Sequence, residues 1–358
     1  MDEAVEADVL GQSYEYLIKK FADQTNKKAG EFYTPRSIVR LMIEILDPQP
    51  GETICDPACG TGGMLLEAVN HVRRMTGDVK TLRGKLFGQE RNLTTSGIAR
   101  INLFMHGVED FEIVRGDTLR SPAFFEGDRL ARFDLVIANP PFSLENWGEE
   151  NWINDSFGRN FAGVPPAKSG DFAWVQHMIR SLAARTGRMA IVLPHGALFR
   201  SGAEGQIRKR ILELDVLEAV IGAGPNLFYG TGLAACILIF RRQKAAERKN
   251  QVLFIDASTL FKRGRNQNTL EPEHITRILE LYGNYKTVAG LAKIANLEEI
   301  EKNDWNLNVS RYVDPLAAEN TMSVTDALAK LKNSLEEAYA AEEKLKLLLH
   351  QYTAAGKN

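Results

Sequence analysis

Two textures of apolar spacing alternate along the chain. From residue 51 onwards, short runs rich in Val, Ile, Leu and Phe recur: ETICDP, KLFGQE, FEIVRGD, FDLVIANP, GRMAIVLP, VLEAVIG, AACILIFRR and VLFIDAS. Between several of them lie stretches with apolar residues three and four positions apart: MLLEAVNHVRRM, TSGIARINLFMH, DFAWVQHMIRSLAAR and EGQIRKRILEL. The first texture predicts strands and the second helices. Strands and helices in alternation predict an α/β fold, a doubly wound, mostly parallel sheet. Residues 8–46 read as helical on both sides of the loop-like KKAGEFYTPR.

Two segments depart from this rhythm. Residues 143–170 form a long polar insertion containing Trp and Gly, and loops of that length in compact domains are functional or disordered. Near the C-terminus, Val324, Leu328, Leu331, Leu335, Ala338, Leu345, Leu349 and Tyr352 follow three- and four-residue steps, with Ser323 and Asp326 resembling a capping box. The stripe predicts a coiled-coil-like seam of about four heptads, packed on a partner helix or back on its own domain. The expected organisation is a helical segment over 1–50, a catalytic domain over 51–260, an extension over 261–315 and a long helix over 316–358.

Composition narrows the classes. Apolar residues make up 44% and charged residues 25% of 358, enough for a sizeable core. A net charge of −2 is unlike that of a protein gripping DNA unaided, which is more often basic. The start, MDEAVEADVL, is acidic and no signal peptide, and LAACILIF is far too short to span a membrane. Three cysteines, Cys55, Cys59 and Cys236, point to a reducing compartment. Cys55 and Cys59 lack zinc-knuckle spacing, so no metal is expected.

Candidate chemistry gathers where strands are expected to end. The run Ile54–Gly63, ICDPACGTGG, links the first strand to a helix, and its glycines permit close approach of backbone to a ligand. Asp56 beside it would repel a pyrophosphate and attract a cation. Glu90 ends the second strand, where a carboxylate can grip a ribose diol. Asp117 in GDTL is placed to contact a base amine. Gly60, Gly62 and Gly63, then Glu90, Asp117 and Asn139, thus fall at the carboxyl ends of four successive strands, the crevice in which open α/β sheets bind ligands.

The set DPACGTGG, GQE, GDTL and NPPF resembles the class I S-adenosylmethionine-dependent methyltransferases. More narrowly, GEFYTPR (Gly30–Arg36), VPPAKSGDFAWVQHM (Val164–Met178) and GRMAIVLPHGALFRSG (Gly187–Gly202) resemble the methylation subunit of type I restriction–modification systems, over roughly residues 8–315. That resemblance implies a Rossmann-like sheet of seven strands, with S-adenosylmethionine as cofactor. It implies that Glu31, Phe32, Tyr33, Thr34, Pro35 and Arg36 line the cofactor's methionine side and that Thr61, Gly62 and Gly63 give backbone contacts. Glu90 would take the ribose hydroxyls, and Asp117 with Thr118 would flank the adenine. Implied partners are double-stranded DNA, a separate specificity subunit met through the C-terminal helix, a second methylation subunit and a restriction subunit, in a bacterial or archaeal cytoplasm. Family members carry a substantial helical region ahead of the position matching Asp8; almost none of it precedes Asp8 here, and it is expected to be truncated or to lie on another chain.

NPPF then has a chemical reading. The exocyclic amine of adenine is a poor nucleophile because its lone pair is delocalised. Two acceptors aimed at its protons favour the developing sp3 nitrogen. The Asn139 side-chain oxygen and the Pro140 carbonyl can serve, Pro140 and Pro141 stiffening the arm. Phe142 would stack on a flipped base, with Phe228 as a second wall or as core. A cytosine-C5 enzyme would need a cysteine nucleophile, and no cysteine here follows a proline. Two other readings keep the fold: a methyltransferase acting on RNA guanine or a protein glutamine amide, and a non-catalytic assembly subunit. His177 and His195 read as satisfied or exposed histidines. RRQKAAERK and FKRGR read as solvated turns, with phosphate contact as the alternative.

Overall fold

The computed structural model describes residues 34–228, 232, 234–265, 267–314 and 324–355. The helix expected ahead of GEFYTPR, the residues Glu31, Phe32 and Tyr33, and the cap at Ser323 lie outside the described residues. The chain divides into a compact unit ending at Asp314 and a second unit, Pro315–Asn358.

Helix α1 (Arg36–Leu46) opens the described chain. It stops at Asp47, whose backbone turns left-handed (φ 48°) and whose N–H donates to the Ile43 carbonyl. Strand β1 (Ile54–Asp56) leads to α2 (Gly63–Thr76), β2 (Leu86–Glu90) to α3 (Leu93–Met105), and β3 (Glu112–Arg115) to β4 (Leu135–Ala138). Next come α4 (Asp171–Arg180), β5 (Arg188–Pro194), α5 (Ala203–Glu213), β6 (Leu217–Ala223), β7 (Ala235–Arg241), β8 (Gln251–Ala257), α6 (Pro272–Asn284) and β9 (Ala292–Asn296). The second unit carries α7 (Val324–Ala355).

Nine strands form one sheet in the order β9-β8-β6-β7-β5-β4-β1-β2-β3. All neighbours are parallel except β7, antiparallel to β5 and β6, and β9, antiparallel to β8. The sheet therefore exceeds the expected seven strands by two. β8 was legible as the apolar run VLFIDAS. β9 was not, because AKIAN is a short edge strand that buries only its two alanines.

Both faces of the sheet are covered, which is why β4 to β7 read as nearly unbroken apolar runs rather than alternations. One face sends Ile54, Leu135, Ile137, Val192 and Ile221 towards α1, α2, α3 and α6. The other sends Val136, Ala138, Ile191 and Leu238 towards α4, α5 and the inserted loop. Residues 261–314, set apart in sequence, pack on this same sheet through α6 and β9. Helix α4 ends at Arg180, short of the expected Arg185, because Leu182 turns back to bridge Phe133 beside β4. The 143–170 insertion is packed. Trp147 and Trp152 are buried edge to face at 5.1 Å, and the Arg159 guanidinium lies 4.7 Å above Trp152.

Candidate active site

β1, β2 and β4 end on one rim of the sheet. Between β1 and α2 the chain turns through Gly60 and Gly62, both with positive φ (52° and 80°), which any residue with a Cβ adopts at a cost. The Gly60 N–H donates to Glu90 Oε2 at 3.1 Å, and the Asn92 N–H donates to Oε1 at 2.7 Å. Glu90 thus fastens the glycine loop to the start of α3. With Arg91 also donating to it, the carboxylate keeps about one of its four acceptor sites for a ligand. Burial raises the Glu90 pKa, against the hydrogen bonds from Asn92, Gly60 and Arg91.

Asp56 is buried, and its Oδ1 accepts the Ala58 N–H at 3.0 Å. Burial pushes its carboxyl up to about 8; the Ala58 bond opposes this and Glu90 adds to it. After β3, Thr118 Oγ1 donates to the Pro57 carbonyl at 2.6 Å, joining GDTL to the glycine loop. The insertion clamps the same turn from outside. Trp152 Nε1 donates to the Leu119 carbonyl and Arg159 Nη1 to the Thr118 carbonyl, both at 3.0 Å. Asp117 stands between Arg91 and Arg120, at 3.7 and 3.8 Å.

A cavity of about 530 Å³ opens on this rim, within the about 300–1,000 Å³ usual for small-molecule sites. Of the residues singled out in the sequence, it brings together Glu90, Asp117, Thr118, Asn139 and Pro141. Asp56, Gly60, Thr61, Gly62 and Gly63 do not line it; Pro57 and Ala58 form that wall. Thr34, Pro35, Arg36, Pro140 and Phe142 also lie outside its lining. Gln89, Arg115, Leu144 and Trp174 line it without having been foreseen. Trp174 sits inside the quoted GDFAW, whose helical spacing gave only a buried face and not the cavity beyond it.

Asn139 ends β4 with its side chain fixed. Its Nδ2 donates to Thr34 Oγ1 at 2.9 Å, which turns Oδ1 the other way. Oδ1 is buried and has no hydrogen-bond partner among the described residues. An acceptor left in that state costs about 1–3 kcal/mol, so it is primed for a donor. Phe142 is half-buried, and the buried Phe228 meets it at 6.0 Å and 63°. His177 is buried, and burial first, then Arg159, lowers its pKa to about 3. In the basic stretches, Arg241 and Arg248 pair with Glu218, Lys244 with Asp215 and Lys262 with Glu271.

The N-6 DNA Methylase family matches residues 5–321. The type I restriction enzyme MjaVII methylase subunit of Methanocaldococcus jannaschii is 37% identical over 97% of this chain and 59% of its own length. The HindI methylase subunit of Haemophilus influenzae is 32% identical over 94% of this chain and 76% of its own. The chain spans about three fifths of the archaeal relatives it matches. Among solved structures, the type I restriction–modification methyltransferase subunit from Streptococcus thermophilus superposes with a TM-score of 0.78. It is 37% identical, over 88% of this chain and 66% of that one. A class I S-adenosylmethionine-dependent methyltransferase from Listeria monocytogenes shares the fold at TM-score 0.60 and 19% identity, over 79% of this chain and 80% of that one. With the glycine loop, the acidic rim and the asparagine closing β4 all on one edge of such a sheet, the chain belongs to the N-6 DNA methylase family.

Proposed function

We propose that this chain is the methylation subunit of a type I restriction–modification system. It transfers a methyl group from S-adenosylmethionine to the N6 amine of an adenine flipped out of DNA. The observation that carries this is Asn139 Oδ1, buried and unpartnered beside the cavity. An amine proton would satisfy it.

The lining fits the cofactor: Glu90 can accept ribose hydroxyls, and Asp117 can accept from a base amine. S-adenosylmethionine supplies an electrophilic methyl on a sulfonium. Thr34 holds the Asn139 amide so that its oxygen faces the incoming base. That oxygen and the Pro140 carbonyl accept the two amine protons and draw the nitrogen towards sp3 geometry. Phe142 offers a stacking face to the extruded base.

Sequence reading falls to a separate specificity subunit, a delegation in keeping with the net charge of −2. Helix α7 presents Leu328, Leu331, Leu335 and Leu345 exposed along one stripe, which suits docking on that subunit's helices. A second methylation subunit and a restriction subunit complete the assembly, in a bacterial or archaeal cytoplasm.

Replacing Asn139 tests the reading. With the specificity subunit present, Asn139→Ala is expected to lower methyl transfer by at least about 10²-fold while the cofactor Kd moves by no more than about threefold. A wild-type rate in this variant rejects the assignment. Methyl label appearing on RNA or protein but not on DNA would move the function to another acceptor.

A further inference from the structure

The backbone leaves NPPF through an unusual residue. Ser143 has φ 48°, a left-handed conformation that disfavours any residue with a Cβ. Its N–H donates to Asp171 Oδ1 at 2.8 Å. Asp171 opens α4 and is fully buried. Its other oxygen accepts Arg200 Nη2 at 3.0 Å and the Ser169 hydroxyl at 3.2 Å. Arg200 Nη1 donates to Glu204 Oε1 and Oε2 at 2.9 and 3.2 Å, and to Ser169 Oγ at 2.8 Å. Nη2 also reaches Ser143 Oγ at 3.3 Å. Room for this arginine comes from Gly196, where a Cβ would stand 2.8 Å from its Nε.

An arginine near a DNA-methylating site invites a phosphate role. Here the guanidinium is already shared between two buried carboxylates, and a phosphate would have to displace one and leave it uncompensated. Its charge is committed to those two carboxylates. Further along the loop, Leu144 and Asn146 are clasped by main-chain bonds to Gly170 and Ala167. Those bonds hold residues after the turn. Asp171 holds the turn itself.

We propose that Asp171, braced by Arg200 and Glu204, is a positioning residue for the NPPF arm. By holding Ser143 left-handed it fixes the direction in which Phe142 and the Asn139–Pro140 acceptors face. Without the carboxylate, Ser143 relaxes to ordinary φ and the arm swings. This rests on the adenine-methylation reading for its rate measurement only.

The test uses the full chain. Asp171→Asn is expected to speed amide exchange over Ser143–Trp147 by about tenfold or more and to leave cofactor Kd within about threefold. With the specificity subunit and DNA added, single-turnover methyl transfer should fall on the order of 10²-fold. Adding Ser143→Gly to Asp171→Asn should restore most of both, because glycine takes positive φ unaided. A role confined to starting α4 predicts no such rescue. Should Asp171→Asn fail to fold, Arg200→Lys, whose site reaches solvent, is expected to move both readouts the same way by a smaller factor, again with rescue by Ser143→Gly. Unchanged exchange and rate, or a double variant no better than the single one, overturns the brace. A wild-type chain with a protected loop that methylates no DNA overturns the function instead, and exchange alone then decides the brace.

Discussion

In the proposed reaction, the work of Asn139 depends on its neighbours. An amide carries one acceptor and one donor end, and only the first can take an amine proton. The 2.9 Å bond from Nδ2 to Thr34 fixes the amide and leaves Oδ1 as its buried, unpartnered end. Thr34→Val should therefore slow methyl transfer by about tenfold and, by leaving Nδ2 without its acceptor, cost about 1 kcal/mol of stability, while Thr34→Ser stays near wild type in both. Equal rates in both, measured at saturating cofactor, would remove Thr34 from this role. Asp56 makes a second prediction at this scale. Its carboxyl is pushed up to about 8 in the folded chain from an ordinary 3.8. Between those values the folded state holds a proton that the unfolded state has lost. The stability so conferred is complete below the lower value and drains away as pH rises through the upper one. Asp56→Asn should match wild type near pH 4 and gain on it by at most about 1.4 kcal/mol per pH unit towards pH 8. Urea midpoints at four pH values would check it; a constant gap would reject the buried, protonated carboxyl.

At the scale of elements, the inserted loop and the last helix give opposite outcomes to similar sequence cues. Both were set apart because they broke the strand–helix rhythm. The insertion is part of the core: Trp147 and Trp152 are buried, and Trp152 with Arg159 grips the carbonyls after Asp117. The sequence read it as a functional or disordered loop, and nothing in the spacing of its tryptophans named the GDTL turn as their target. Helix α7 keeps the periodicity read from the sequence, and its leucines stay exposed from Leu328 to Leu345. A stripe of that length left in water is stabilised by a partner helix. Deleting residues 323–358 should weaken association with the specificity subunit by at least about tenfold and leave cofactor affinity unchanged. Co-elution at undiminished strength would exclude the helix as the docking element.

For the whole molecule, the pattern of apolar runs determined the class of fold, because strands buried on both faces and helices buried on one must differ in period. It also determined which motifs meet, since residues at the carboxyl ends of neighbouring parallel strands share one rim. Glu90, Asp117 and Asn139 were legible for that reason. Strand β9 was not, because an edge strand with one wet face has little apolar signal to give. Tertiary structure alone decided the rest. It placed Pro57 and Ala58, not Gly60, Gly62 or Gly63, against the cavity, and brought Trp174 into its lining. It turned the Asn139 amide by a bond spanning 105 residues of sequence, and set Asp171 under a turn 28 residues away. Periodicity is a property of neighbours along the chain and survives in the sequence. The direction of one hydrogen bond depends on a partner that only folding brings near.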